Sequence, residues 1–372
     1  MTGEFSADLY EYALPPELIA QAPAARREDS RLLVLRRENN SLEHKYFRDI
    51  VDYLNPQDLL VFNDTKVLPA RLLGQKTTGG RCEIFLLKQL DAAHWEALVK
   101  PGRRLACGSA VRFGADFTAV ILEKLPDGRR RVEFSFAGDF GEKLLRYGQT
   151  PLPPYIKAAT SLTYSQDATL PSGLTVPDGL TVSGRLELAE RYQTVYARTP
   201  GAAAAPTAGL HFSQELLDRI KAKGTASAFV TLHVGPGTFQ PLQTADIRKH
   251  NIHAEEYFCP EETLRAVREC RARGGRVIAV GTTSARVLET VVSGHAETLP
   301  ATPLHGQTNI YIYPGYQFQA VDALITNFHL PKSTLLLLVS ALAGREKILS
   351  VYQEAIRQRY RFFSFGDAML II

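Results

Sequence analysis

Four short segments of the chain concentrate side chains able to move protons or to hold anions. They are Asn63-Asp64-Thr65-Lys66, Thr231 through Phe239 (which includes His233), Gly281-Thr282-Thr283-Ser284, and Thr326 through Thr334, which carries Asn327, His329 and Lys332. Imidazole, carboxylate and hydroxyl groups held close together suit general acid–base chemistry and the orientation of polar substrates. Each segment follows an apolar run or strand pattern, and open α/β sheets bind ligands beyond the carboxyl ends of their strands. The four segments are therefore expected to meet in one site.

Gly281-Thr282-Thr283-Ser284 lies between a strand and a helix, so its amides and hydroxyls suit a carboxylate or phosphate. A well-capped helix start explains the same residues, and Arg286, one turn in, tips the balance toward an anion. Five of the nine histidines (His211, His233, His250, His253 and His329) fall in or beside these segments. The spacing His250-x-x-His253-x-Glu255 fits a metal site, and it equally fits an acid–base pair of His253 with Glu255. Lys332-Ser333-Thr334 lacks the upstream glycines of a phosphate-binding loop, and Gln240 stands where a dinucleotide fingerprint needs its third glycine.

Aromatic stretches at Tyr192–Tyr196, Tyr311–Tyr316 and Tyr360–Phe363 suit stacking on unpaired bases or plain core packing. Arg265, Arg268, Arg271, Arg273 and Arg276 form a basic helix end, either a phosphate contact or a solvated face.

The elements that must position these groups follow from apolar periodicity. Residues 31–35 and 59–62 read as buried strands, and Phe47, Ile50, Val51 and Leu54 fall on one helical face. Six short strand-like runs with close turns, at 70–73, 82–88, 95–99, 110–113, 117–124 and 130–136, predict a small barrel. Residues 158–186 are rich in Ser, Thr, Gly, Pro and Asp, which predicts a mobile loop. Further on, a helix capped by Ser213 buries Leu216, Leu217 and Ile220, and Gly224 stops it. The pattern continues with strand 226–234, helix 261–273, strand 276–280, helix 284–292, strands 308–313 and 323–326, and helix 334–343. The run 369–372 is either a last strand or a packed tail. This order predicts an α/β domain from 1–69 and 151–372, interrupted by an antiparallel β-barrel domain at 70–150.

Composition agrees with a folded chain. Of 372 residues, 45% are hydrophobic and 22% charged, which excludes disorder and collagen-like repeats. The formal net charge of +4 permits an RNA partner without requiring one. The longest strongly apolar run, Leu335–Val339, is far short of the ~20 residues of a membrane span. The acidic start of the chain lacks the pattern of a secretory signal, so the cytoplasm is the expected compartment. Cys82, Cys107, Cys259 and Cys270 show no paired spacing and read as reduced packing residues.

Longer motifs add a resemblance. Asp58 through Leu72, Leu152-Pro153-Pro154-Tyr155-Ile156, Tyr192 through Ala197, Ala204 through Phe212, Ala279 through Ser284, Thr326 through Leu338 and Phe362 through Ile371 resemble the S-adenosylmethionine:tRNA ribosyltransferase-isomerase (QueA) family. The segments occur in the family's order from Asp8 to the C-terminus. The chain departs from the family's pattern at Lys157-Ala158-Ala159, in the length of the 158–186 loop, and at Ile252 and Ala254.

The resemblance implies a QueA-like fold and a step of queuosine biosynthesis. The ribosyl part of S-adenosylmethionine is transferred to the aminomethyl-deazaguanine (preQ1) wobble base of tRNA and isomerised, giving epoxyqueuosine with release of adenine and methionine. It implies no metal and no cofactor, S-adenosylmethionine being a consumed co-substrate, and a cytoplasmic monomer. On the matching positions, His211, His253, Glu255 and His329 are acid–base candidates, and Asp64 is an orienting or sulfonium-facing carboxylate. Thr282, Thr283, Ser284 and Arg286 would seat the methionine carboxylate, with Asn327, Lys332 and Arg71 on ribose or tRNA phosphate. Thr65, Thr207 and His233 complete the substrate-binding set. Two rivals are a conventional methyltransferase, whose glycine-rich first turn is missing, and a non-catalytic tRNA-binding module, against which the polar strand-end segments count.

Overall fold

The computed structural model describes residues 3–156, 182–235, 242–294 and 299–372. The chain opens with β1 (Arg31–Leu35), β2 (Leu42–Tyr46), a 3-10 helix at Phe47–Tyr53, β3 (Leu59–Asn63) and β4 (Thr65–Val67). In β3 every residue is buried, and its side chains alternate between two cores: Leu59 and Val61 on one face, Leu60 and Phe62 on the other. A strand apolar on both faces must lie inside a sheet covered on both sides.

The barrel follows as β5 (Arg71–Lys76), β6 (Arg81–Gln89), β7 (His94–Lys100), β8 (Ala110–Gly114), β9 (Phe117–Lys124) and β10 (Arg130–Phe136). Strand β5 pairs with both β6 and β8, which closes a six-stranded antiparallel barrel and leaves it no open edge. Alternate residues, among them Leu72, Ile84, Trp95, Phe117, Val132 and Phe134, fill its interior. Helix α1 (Phe140–Tyr147) and the short β11 (Gly148–Gln149), neither legible in the apolar pattern, lead the chain out beside its point of entry. The two crossings are so close that a Cβ on Gly148 would lie 2.0 Å from the Pro69 carbonyl oxygen.

The second half comprises α2 (Val182–Arg191), β12 (Thr199–Ala202), α3 (Gln214–Ala222), β13 (Ala226–Leu232), β14 (Glu255–Cys259), α4 (Glu261–Ala272), β15 (Val277–Val280), α5 (Thr282–Ser293), β16 (Leu304–Thr308), β17 (Ala323–Asn327), α6 (Thr334–Ala343), α7 (Arg345–Arg357) and β18 (Ala368–Ile371). A nine-stranded sheet runs β16-β14-β13-β3-β15-β17-β18-β1-β2. Its centre, β13-β3-β15-β17, is parallel. The fold is thus an α/β body carrying an inserted antiparallel barrel. No helix among the described residues is long and apolar enough to cross a membrane.

Several expectations are corrected. The helical face at 47–54 is a 3-10 helix rather than an α-helix. The alternating Ile310–Tyr313 run is not a strand: the Ile310 amide donates to Thr308 Oγ1 at 3.2 Å, turning the chain off the ladder, and the strand is Leu304–Thr308. Helix α5 begins two residues early because Gly281, at φ +88°, turns the chain directly after β15. Residues 158–181 of the expected loop lie outside the described residues, and 182–186 belong to α2.

The basic cluster is spent on structure. Arg268 donates to the Leu299 and Pro300 carbonyls, Arg273 to that of Gln57, and Arg271 to that of Gln319. Arg276 grips the buried Asp58 through Nη2 (2.6 Å) and Nε (3.1 Å), and Asp58 also accepts the amides of Asn55 and Arg276. This carboxylate staples the starts of β3 and β15, and removing one partner of such a pair strands the other. Asp58→Asn is expected to lower stability by about 2–3 kcal/mol, read as a reduced urea midpoint with an unchanged denaturant slope.

Candidate active site

The parallel run β13-β3-β15-β17 sends four strand ends the same way, so the polar segments after them leave one edge of the sheet, residues 236–239 of the second lying outside the described residues. The 3-10 helix Thr207–His211 lies across this edge, with Ala208 packed near Gly281. Between it and the C-terminal segment are two adjoining clefts. One is lined by Tyr155, Thr207, Asn327, His329 and Ser364, among others, and the other by Arg27, Ser30, His211 and Ser364.

His211 is buried and uses both ring nitrogens. Nδ1 meets Ser30 Oγ at 2.7 Å, Nε2 meets Asn327 Nδ2 at 3.1 Å, and the ring stacks on Phe47. Burial, followed by the nearby Arg361 and Arg27 charges, depresses its pKa to about 3. His329 is likewise buried and neutral, its pKa depressed to about 3 by desolvation. Its ring meets Thr326 Oγ1 at 2.8 Å, and its backbone is held by the hydroxyls of Tyr12 and Tyr352.

Asp64 is buried and has both carboxylate oxygens occupied. One oxygen accepts from Thr231 Oγ1 (2.6 Å) and the other takes Arg198 Nε and Nη2 (3.1 and 2.8 Å). Thr65 Oγ1 bonds His233 Nδ1 at 2.8 Å, and burial lowers the His233 pKa. Gly201 approaches that ring so closely that a Cβ would lie 2.6 Å from it. Glu255 pairs with Arg286 and accepts the Gly235 amide at 3.0 Å.

Thr282, Thr283 and Ser284 are buried in the first turn of α5, with Ser284 Oγ donating to the Val280 carbonyl. Thr283 Oγ1, Arg286 Nε and Arg286 Nη2 are buried without a hydrogen-bond partner among the described residues.

Other expected members lie elsewhere. Lys332 pairs with the exposed Asp8 and Glu11 (2.8 and 3.0 Å). Arg71 sits on β5 of the barrel, paired with Glu83 at 2.8 Å. His253 is exposed, and no group of three His, Cys, Asp or Glu able to hold a metal is present among the described residues. Three cysteines are buried and Cys107 is exposed. The aromatic stretches serve the cores: Tyr192, Tyr360 and Phe362 are fully buried.

Sequence reasoning missed Arg27 and Ser30, which carry no motif. Tyr155, Phe363 and Ser364 were within recognisable motifs but had no distinctive chemistry of their own.

A mixed α/β sheet with an inserted barrel and a polar cleft at the strand ends defines a class, and comparison specifies it. The family model described as "Queuosine biosynthesis protein" matches residues 7–371, and the chain belongs to that family. It is 53% identical over 365 residues to the S-adenosylmethionine:tRNA ribosyltransferase-isomerase of Pelotomaculum thermopropionicum, covering 98% of each chain. It is similar to the crystal structure of an S-adenosylmethionine tRNA ribosyltransferase from Thermotoga maritima at 38% identity. That match has a TM-score of 0.53 and covers 98% of this chain and 100% of the other.

The two buried imidazoles make a testable mark on stability. In the unfolded chain each takes a proton near pH 6.5, whereas in the fold neither does until about pH 3. Only the unfolded state gains protons in that window, so stability is complete above pH 6.5 and falls as pH decreases. Each imidazole is expected to cost about 2 kcal/mol between about pH 8 and pH 5. The stability lost between about pH 8 and pH 5, read from urea unfolding at each pH, should be smaller by about 2 kcal/mol in His329→Gln.

Proposed function

We propose that this protein transfers the ribosyl moiety of S-adenosylmethionine to the aminomethyl group of preQ1 at the wobble position of tRNA. The transferred group isomerises to the epoxycyclopentanediol of epoxyqueuosine, and adenine and methionine leave. The observation that carries this reading is the 53% identity, across 98% of both chains, to a relative bearing that activity in its name. The strand-end cleft supplies a place for the chemistry.

The reaction needs a base for a proton beside the sulfonium, assistance to departing adenine, and a positioned amine. None of these steps requires a redox centre, and the protein works without metal or cofactor, as a monomer in the cytoplasm. His329 lines the cleft with its imidazole kept neutral by burial, and this reading assigns it the proton-transfer role. The methionine carboxylate is held at the start of α5, where Thr283 Oγ1 and the Nε–Nη2 edge of Arg286 are unspent donors and the helix dipole favours negative charge. Glu255, beside Arg286, suits the α-ammonium of the same amino acid.

Incubation with S-adenosylmethionine and preQ1-bearing tRNA is expected to release free adenine and to yield a heavier anticodon nucleoside, with no effect of a chelator. His329→Asn should lower kcat by roughly 10²–10⁴-fold, the usual worth of a positioned proton-transfer group. Methylated RNA, or unconsumed S-adenosylmethionine, would refute the assignment.

A further inference from the structure

The Asn327 amide presents an unexplained atom at the cleft. Its Nδ2 donates to the Phe363 carbonyl (3.0 Å) and faces His211 Nε2 (3.1 Å). A carbonyl can only accept, so the atom facing Phe363 is the amino group, and the orientation of the amide is settled by chemistry. His211 Nε2 must then be the acceptor and Nδ1 the protonated nitrogen, donating to Ser30 Oγ, whose own hydrogen goes to the Arg27 carbonyl (3.2 Å). The chain of donors runs one way, without ambiguity.

Both hydrogens of the Asn327 amino group are thereby spent, and Oδ1 is left buried with no partner among the described residues, although the residue is only 2% exposed and lines the cleft. A buried polar atom without a partner is costly, and here it is held in place by two hydrogen bonds. An acceptor oxygen cannot bind phosphate, which also only accepts.

We propose that Asn327 Oδ1 accepts a hydrogen bond from a ribose hydroxyl of S-adenosylmethionine, and that His211 is a positioning residue that locks the amide in that orientation. The inference rests on the reading above, since it takes the donor from that co-substrate. His211 touches no reacting atom. Ser30 fixes the imidazole tautomer, the imidazole fixes the amide, and the amide oxygen meets the sugar.

The test compares Asn327→Ala, His211→Asn and His211→Gln in the adenine-release assay, with thermal melting to confirm folding. Asn327→Ala should raise KM for S-adenosylmethionine about tenfold, the worth of one good hydrogen bond, while KM for tRNA is unchanged. His211→Asn keeps a donor toward Ser30 but removes the acceptor opposite Asn327, and should show the same defect. His211→Gln places an amide oxygen near the former Nε2 and should recover most of the affinity, a rescue that a simple packing role would not produce. A 2′- or 3′-deoxy analogue of the co-substrate should bind wild type about tenfold more weakly and the Asn327→Ala variant no more weakly than the parent compound. A folded Asn327→Ala variant with wild-type KM for S-adenosylmethionine, or a defect confined to KM for tRNA, overturns the proposal. A wild-type protein that releases no adenine overturns the functional reading instead.

Discussion

Polar backbone that ends inside a protein must find partners there, and the carboxyl ends of β13, β3, β15 and β17 find theirs in side chains. Asn63 stands in for a ladder rung: its oxygen accepts the Leu232 and Thr65 amides and its Nδ2 donates to the Leu232 carbonyl. Ser284 satisfies the Val280 carbonyl, and Thr231 donates to Asp64. Most of the hydroxyls and amides clustered at this edge are therefore consumed in closing the sheet. Among the described residues, Thr283, Arg286 and Asn327 belong to those that keep buried donors or acceptors without a partner, the kind of group a bound ligand could satisfy.

The same shortage of water governs charge. A lone ion in such surroundings is costly; Arg27 is held by the carbonyls of Arg191, Leu210 and Gln193, and the other ionisable groups are handled in two ways. Carboxylates are paired, Asp64 with Arg198 and Glu255 with Arg286. Imidazoles stay neutral, as at His211 and His329, where burial pushes the proton off. The clefts thus carry no positive imidazole. Their remaining acceptors are oriented in advance, which is how preorganised sites stabilise developing charge.

How much of this was legible depends on the kind of signal. Strand runs at 110–113, 117–124 and 130–136 matched β8, β9 and β10 closely because burial on one face imposes a period of two on the residues themselves. That the four polar segments leave one sheet edge was legible too, since it follows from strand direction, although only the last of them lines the clefts. What each side chain does there was not. Asp64, Lys332 and Arg71 have the chemistry of substrate contacts, but their partners are Arg198, Asp8 with Glu11, and Glu83. His211 reads as an acid–base group until Ser30, 181 positions away in sequence, is seen against its ring. Such pairings arise from tertiary placement and leave no local spacing to find.

The barrel and the strand-end edge are joined through a narrow connection. Strands β4 and β12 pair side by side, Leu68 donates to the Ala202 carbonyl, and Gln193 clamps both backbone groups of Val67. The same stretch contributes Thr65 to the His233 ring and brings Gly201 against that ring, while the Asp64 carbonyl accepts the Arg198 and Thr199 amides. Asp64, Thr65 and His233, all of which bear on the end of β13, are thereby tied by hydrogen bonds to the connection that carries the barrel. Packed interiors shift between discrete arrangements rather than deforming smoothly, so the insertion is coupled to the strand-end framework through shared hydrogen bonds.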